Sequence, residues 1–212
     1  MIRIFIFSYA GDAAEATACL RCARMAVPCA SVTVVDDASH PVREETAEVL
    51  RSMGAEYVQS SWERHGNLRG PDCIRGMLSE MCRDAGDDDI LVKVDCDTAL
   101  LDGGWLRWME QRRWCQMYAS GSLVDGEWMI YGCLYALRGR VARRLLRDMD
   151  WENMDALAPE DWTIGRAALA SFPAALARID EPWSQRTPWS SWTAWCWYSL
   201  TAVSYTHLTL PT

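Results

Sequence analysis

Apolar residues fall in short blocks along this chain, and several of these blocks have the composition of strands. Runs rich in Ile, Val, Phe and Tyr recur between polar stretches, which is typical of strands that are buried in a sheet. We therefore predict strands at residues 2–8, 31–39, 55–60, 90–94, 115–120 and 128–137.

The stretches between these blocks carry the start and stop signals of helices. Pro28 follows one helical stretch, Gly54 closes another, and Pro71 begins a third. The predicted helices cover residues 12–25, 42–53, 71–83, 138–149 and the residues from 160 onward. Strands that alternate with helices of this length predict an α/β fold with a mostly parallel sheet, flanked by helices on both faces.

Acidic residues follow two of the predicted strands directly. Asp36 and Asp37 end SVTVVDD, and ILVKVDCD places Asp95 and Asp97 one residue apart. Ligands of open α/β sheets bind at the carboxyl ends of the strands, so both clusters mark a candidate site. Strand alternation predicts that Asp95 and Asp97 point the same way. The alternative is that these aspartates only form polar turns.

Composition limits the class of protein. At 212 residues and 50% hydrophobic content, the chain can build one substantial core. A net charge of −8 argues against nucleic-acid binding. No apolar run reaches the roughly 18 residues of a membrane span. Nine scattered cysteines and the lack of a signal-peptide pattern favour a reducing cytoplasm.

The C-terminal residues do not continue the preceding pattern. VSYTHL, at residues 203–208, resembles the translation of a transposase adaptor used in sequencing libraries. We therefore interpret residues 203–212 as a non-native tail and residues 1–202 as a single domain that is cut short. The Trp-rich segment at residues 188–200 abuts this tail and is assigned no role.

Several motifs in order resemble those of the GT-A glycosyltransferases, particularly the family-2-like enzymes. IFIFSYAGD matches the first strand and turn of that family, VTVVDDAS its second strand, VKVDCDTAL its DxD motif and PEDWTIG its ED motif. HGNLRGPDCIRGM resembles the family's G-N-x-G-x-x-x-A-x-N segment but lacks the final Asn. Together these motifs cover residues 2–169.

The resemblance implies a donor site for a nucleotide-sugar. Ser8 and Tyr9 would contact the base, and Asp36 or Asp37 would accept a hydrogen bond from uracil or ribose. Asn67 would belong to the same pocket. A UDP-sugar is the expected donor, and the acceptor is an unidentified carbohydrate, lipid or protein.

The resemblance also implies roles for the remaining acids. Asp97 would ligate Mn²⁺ or Mg²⁺, which neutralises the leaving diphosphate, and Asp95 would hold the ribose, the metal or a metal-bound water. Asp161 would act as the general base in an inverting transfer, and Glu160 beside it would be a second catalytic carboxylate. Acids in this position also stabilise a helix N-terminus through its dipole, so a capping role is the alternative.

Three other functions stay open from the residues. A DxD phosphatase would carry Thr two positions after the second Asp, where this chain has Ala99. A nucleotidyltransferase would carry a basic, Gly-rich loop after the first strand, and SYAGDAAEA has no basic residue. An inactive nucleotide-sugar-binding protein is the third. The predicted helix at residues 138–149 is basic, with arginines at positions 138, 140, 143, 144 and 147. This basic helix is expected to be a solvated face; its alternative role is peripheral contact with the inner face of a membrane.

Overall fold

The computed structural model describes residues 1–64, 68–180 and 197–199, which form strands and helices around a central sheet. The described strands are β1 (Ile2–Ser8), β2 (Ser31–Asp36), β3 (Glu56–Gln59), β4 (Ile90–Asp95), β5 (Thr98–Leu100), β6 (Met117–Val124), β7 (Glu127–Arg138), β8 (Ala177–Asp180) and β9 (Trp197–Ser199). The described helices are α1 (Ala13–Ala26), α2 (Glu44–Ser52), α3 (Pro71–Cys82), α4 (Gly104–Gln111), α5 (Gly139–Asp148) and α6 (Glu160–Ser171).

Seven strands form the main sheet in the order β3-β2-β1-β4-β7-β6-β8. β1 is parallel to both β2 and β4, β2 is parallel to β3, and β6 is parallel to β8. β7 alone runs the other way, antiparallel to β4 and β6. The carboxyl ends of β1, β2 and β4 therefore lie at one edge of the sheet, next to the first half of β7.

Helices cover both faces of this sheet. On one face, α1, α2 and α4 pack against apolar residues of β1 and β4 such as Ile4 and Val92. On the other, α3, α5 and α6 pack against Phe5, Phe7 and Leu91. The predicted α/β class and mostly parallel sheet are confirmed. The sequence analysis did not predict β5, α4, β8 or β9.

The arginines of the basic helix pair with acids at the protein surface, and the arginine before the helix is buried. Arg140 and Arg143 of α5 form ion pairs with Asp88 and Asp87. Arg138, just before α5, is 2% exposed and donates to backbone carbonyls, among them that of Cys115 at 3.1 Å. The expectation of a solvated face is therefore wrong for Arg138, whereas the side chains of Arg140, Arg144 and Arg147 are exposed as expected. In the described part of the chain, no helix is long and apolar enough to cross a membrane.

A backbone joint fixes the start of α6 to the start of α3. The amide of Gly70 donates to the carbonyl of Ala158 at 3.0 Å, and the amide of Glu160 donates to the carbonyl of Leu68 at 3.2 Å. Gly70 has φ +83°, and a Cβ there would lie 2.7 Å from the carbonyl oxygen of Ala156. Only glycine therefore allows the two segments to approach this closely.

Gly70→Ala should destabilise the protein more than Gly126→Ala does. Both residues have positive φ, but Gly126 lies in the turn between β6 and β7 with nothing within 4 Å of its Cβ position. Backbone strain alone costs about 1–2 kcal/mol, and the clash at Gly70 should add a further ~1 kcal/mol or more. Urea unfolding measures both. Equal losses of stability in the two variants would show that the backbone around Gly70 shifts to accommodate the added Cβ without an energetic cost.

Candidate functional site

The carboxyl ends of β1, β2 and β4, together with the start of α6, form what we call the acidic edge. A buried lysine lies at its centre. Lys93 of β4 precedes Asp95 by two residues, so both side chains project from the same face of the sheet. Its ammonium donates to Asp95 Oδ1 at 2.7 Å and to the carbonyl of Gly132 in β7. It also lies 3.5 Å from Glu160 Oε2 in α6. Lys93 is 1% exposed, so its charge is balanced by these groups rather than by water.

Burial and charge shift the pKa values of this cluster. Burial alone would lower the pKa of Lys93, but the Asp95 and then the Glu160 carboxylates outweigh it and hold that pKa above its usual range. Burial raises the pKa of Glu160 to about 7, against the opposing effect of Lys93. Glu160 Oε1 also accepts a hydrogen bond from the hydroxyl of Tyr135. Lys93 therefore stays protonated, whereas Glu160 titrates near neutral pH.

Asp161 lies beside this cluster and is partly exposed. Its Oδ2 accepts from the amide of Gly132 at 3.2 Å, and its Oδ1 accepts from the amide of Trp162 at 2.7 Å. Pro159 is the N-cap residue of α6 and makes no side-chain cap hydrogen bond. Glu160 is 3% exposed and faces the core, so it does not cap the helix through a solvated carboxylate. Of the two acids, Asp161 is the more accessible.

Asp95 and Asp97 do not lie on one continuous strand. β4 ends at Asp95, and Cys96 and Asp97 form a turn before β5. The strand alternation that predicted a common direction for the two carboxylates therefore does not extend to Asp97. The side chain of Asp95 is 27% exposed and is anchored by Lys93.

These two aspartates fit a hard divalent cation. Within the described residues, no group of three or more His, Cys, Asp or Glu side chains is arranged to hold a metal. Mg²⁺ is commonly bound by only one or two carboxylates, with substrate phosphates and water completing the shell, and Mn²⁺ also suits such oxygen ligands. Asp97 and Asp95 carry oxygen donors of this kind, so their chemistry suits Mg²⁺ or Mn²⁺.

The predicted base-binding residues divide into an inner and an outer group. Asp36 is fully buried and accepts hydrogen bonds from Ser8 Oγ at 2.9 Å, Tyr57 Oη at 2.6 Å and the amide of Val42 at 2.9 Å. The polar groups of Asp36 and Ser8 therefore make hydrogen bonds that join β1, β2 and β3. Asp37 is 6% exposed, accepts from the nearby amide of Ser39 at 3.0 Å and lies 3.8 Å from His40 Nδ1, so its contacts are local and, unlike those of Asp36, do not join separate strands.

Tyr9 and a second basic residue, Arg64, form the outer group. Tyr9 is 39% exposed, and the guanidinium of Arg64 lies 4.8 Å from the centre of its ring. Arg64 also lies 3.5 Å from Asp12 Oδ2, and its Nε has no hydrogen-bond partner among the described residues. Arg64 was not among the site residues predicted from the sequence. Asn67, the tail at residues 203–212 and residues 188–196 of the Trp-rich segment lie outside the described residues.

Known proteins resemble this chain in structure. No family model matches it, and no curated protein sequence does. The galactosyltransferase LgtC, solved with donor and acceptor sugar analogues, is 17% identical, with a TM-score of 0.53 over 79% of this chain and 70% of LgtC. Glucosyl-3-phosphoglycerate synthase from Mycobacterium tuberculosis, solved with Mn²⁺, UDP and glucosyl-3-phosphoglycerate, is 15% identical, with a TM-score of 0.53 over 85% and 69%.

A third similar structure is the mannosyltransferase PcManGT from Pyrobaculum calidifontis, in complex with GDP-mannose and Mn²⁺. It is 16% identical, with a TM-score of 0.53 over 92% of this chain and 59% of its own. The likeness to these structures establishes that this chain has the GT-A fold of nucleotide-diphospho-sugar transferases. At such identities it establishes the fold and not the reaction.

Replacing Asp36 should damage stability far more than replacing Asp37. Asp36→Ala leaves the hydroxyls of Ser8 and Tyr57 and the amide of Val42 without their buried acceptor, which should cost about 3 kcal/mol or more. Asp37→Ala removes a local turn contact and should cost about 1 kcal/mol. Urea unfolding of both variants provides the measurement, and similar losses would mean that Asp36 is not the internal anchor.

Glu160→Gln should remove a pH dependence of stability. Because the pKa of Glu160 rises from 4.5 in its ordinary state to about 7 in the fold, the folded protein holds this proton more tightly. Its contribution is fully present below about pH 4.5 and is lost as the pH rises through about 7, by on the order of 1–3 kcal/mol. Urea unfolding from about pH 5 to about pH 8 tests this. The variant should gain on the parent as pH rises, and a constant difference would contradict the shift.

Proposed function

We propose that this chain is a glycosyltransferase that moves a sugar from a UDP-sugar to an acceptor hydroxyl, with Mn²⁺ or Mg²⁺ and with inversion. The observation that carries the proposal is the meeting of Asp95 from β4 with Glu160 and Asp161 from α6 around Lys93. The carboxylates proposed to bind the metal and the donor, and the carboxylate proposed to activate the acceptor, thus lie at the same edge of a GT-A fold.

The donor side of the proposed reaction uses Asp97 and Asp95. They would hold the metal, which when bound neutralises the charge that develops on the departing diphosphate. Mn²⁺ accompanies a nucleotide or nucleotide-sugar in two of the similar structures, which supports this choice. Those two structures contain GDP-mannose and UDP, so preference for uracil rests on the sequence resemblance.

Tyr9 and Arg64 supply a platform for the base. An exposed aromatic ring can stack on any nucleobase, and a guanidinium packed against the ring holds it in place. Asp37 would then accept the ring N–H of uracil. Ser8 and Asp36 would support this pocket from inside, because their hydrogen bonds are already satisfied by the protein.

Asp161 is proposed as the general base. It would take the proton of the acceptor hydroxyl as that oxygen bonds to the anomeric carbon, while the bond from that carbon to the diphosphate breaks and UDP leaves with the electron pair. Glu160, predicted as a second catalytic carboxylate, is buried against Tyr135 and Lys93. In this proposal it positions the start of α6 and does not touch substrate.

The acceptor, the cytoplasmic location and contact with a membrane surface stay predictions, as does the domain end at residue 202. Ligand preference distinguishes the three alternative functions from glycosyl transfer. A nucleotidyltransferase would prefer a nucleoside triphosphate over UDP. A DxD phosphatase would gain nothing from UDP. An inactive binding protein would bind the donor without releasing UDP from it.

UDP together with Mn²⁺ should stabilise the parent protein against heat, and Asp97→Ala should lose the part that depends on Mn²⁺. A ligand at about 100 times its Kd adds about 2.7 kcal/mol, which a thermal-unfolding assay detects readily. GDP and ADP serve as competing nucleotides. Glu48→Ala is the matched control, since Glu48 is an exposed acid in α2, a helix from which no residue of the proposed site comes. No stabilisation of the parent by UDP and Mn²⁺ would overturn the proposal.

A further inference from the structure

Lys93 contacts three separate elements of the acidic edge. Within β4 it holds Asp95, across the sheet it donates to the carbonyl of Gly132 in β7, and it faces Glu160 in α6. The ring of Tyr135 in β7 lies 5.9 Å from its ammonium. At 1% exposure this lysine cannot touch a donor or an acceptor, so any effect on a reaction must pass through these partners.

Gly132 connects Lys93 to Asp161. Its carbonyl accepts from the ammonium of Lys93, and its amide donates to Asp161 Oδ2. A Cβ at position 132 would lie 3.0 Å from the Cβ of Asp161 and 3.2 Å from Glu160 Oε2. The place of the Asp161 carboxylate therefore depends on a backbone that Lys93 holds and on the missing side chain at Gly132.

The charge of Lys93 also lets the acids approach one another. Asp95 and Glu160 come from distant parts of the chain, and both lie within 3.5 Å of its ammonium. Without a cation between them, two carboxylates in a site this buried would repel each other and one would take up a proton. Buried ion pairs contribute little net stability compared with apolar packing, so fixing a geometry is a better account of this one than stability.

We propose that Lys93 is a positioning residue that couples the two ends of the site. It sets the Asp95 carboxylate for the metal and donor and, through Gly132 and Glu160, sets the Asp161 carboxylate for the acceptor. This inference rests on the proposed glycosyl transfer. A lysine that only stabilised the fold would change the unfolding midpoint and leave the folded protein's ligand affinity and turnover unchanged.

Two variants, Lys93→Met and Gly132→Ala, test the donor end and the acceptor end of the site independently. Methionine keeps the length of the lysine chain without its charge, so Asp95 loses its anchor and the affinity for UDP with Mn²⁺ should fall about 10-fold or more. Gly132→Ala displaces Asp161 but leaves the contact between Lys93 and Asp95, so UDP affinity should stay within about 3-fold. Titration calorimetry with UDP and Mn²⁺ measures both affinities.

Turnover provides the second readout. Hydrolysis of a UDP-sugar follows the same chemistry. The sugar is transferred to water, Asp161 takes the proton of that water, and UDP leaves. Both Lys93→Met and Gly132→Ala should lower the kcat of this hydrolysis, and Asp161→Asn marks the expected size of about 10²-fold or more. Lys93→Met thus affects binding and turnover, whereas Gly132→Ala affects turnover alone.

A double variant covers the case in which Lys93→Met does not fold. Lys93→Met with Glu160→Gln removes the cation together with one of its two carboxylates, so less buried charge is left unpaired. It should fold and still show the loss of UDP affinity in the presence of Mn²⁺, because Asp95 still lacks its anchor. Parental affinity and turnover in a folded Lys93 variant would overturn this inference alone. A parent that binds no UDP with Mn²⁺ would overturn the proposed function, and this inference with it.

Discussion

The buried ammonium of Lys93 must be fully paired, and this requirement governs the geometry of the site. Lys93 is enclosed, so its charge must be met by protein groups, and those groups come from β4, β7 and α6. Each of these elements can shift only at the cost of leaving the ammonium underpaired. The carboxyl end of a central strand and the N-terminus of a distant helix are thereby held at a fixed separation.

A second constraint holds the same helix from its other side. The backbone joint between residues 68–70 and 158–160 fixes α6 to α3 through two amide hydrogen bonds. The ion pair acts through side chains and the joint acts through the backbone, so the first turn of α6 is attached twice. Preorganisation of this kind matters for catalysis, because a general base works only within about 3 Å of the proton that it removes.

The order of the longer strands and helices was predictable, except for α4, because their signals are local. Apolar runs, Pro28, Gly54 and Pro71 act on their own neighbours, and the structure follows them. The acidic strand ends were equally visible. The pairing of Lys93 with Glu160 was not, because it depends on how β7 and α6 pack across the sheet. A lysine in the run ILVKV was the available signal, since a charge inside a buried strand demands a partner.

The same limit explains the roles within the acidic pairs. Asp36 and Glu160 both accept hydrogen bonds from partly or fully buried tyrosines, Tyr57 and Tyr135, that come from other strands. Asp37 is bound by a local amide, and Asp161 by the amides of Gly132 and Trp162. The first acid of each pair therefore fixes the backbone, and that fixed backbone determines where the second acid lies. Sequence motifs record that two acids are adjacent, but only the packed structure distinguishes the acid that anchors the backbone from its neighbour.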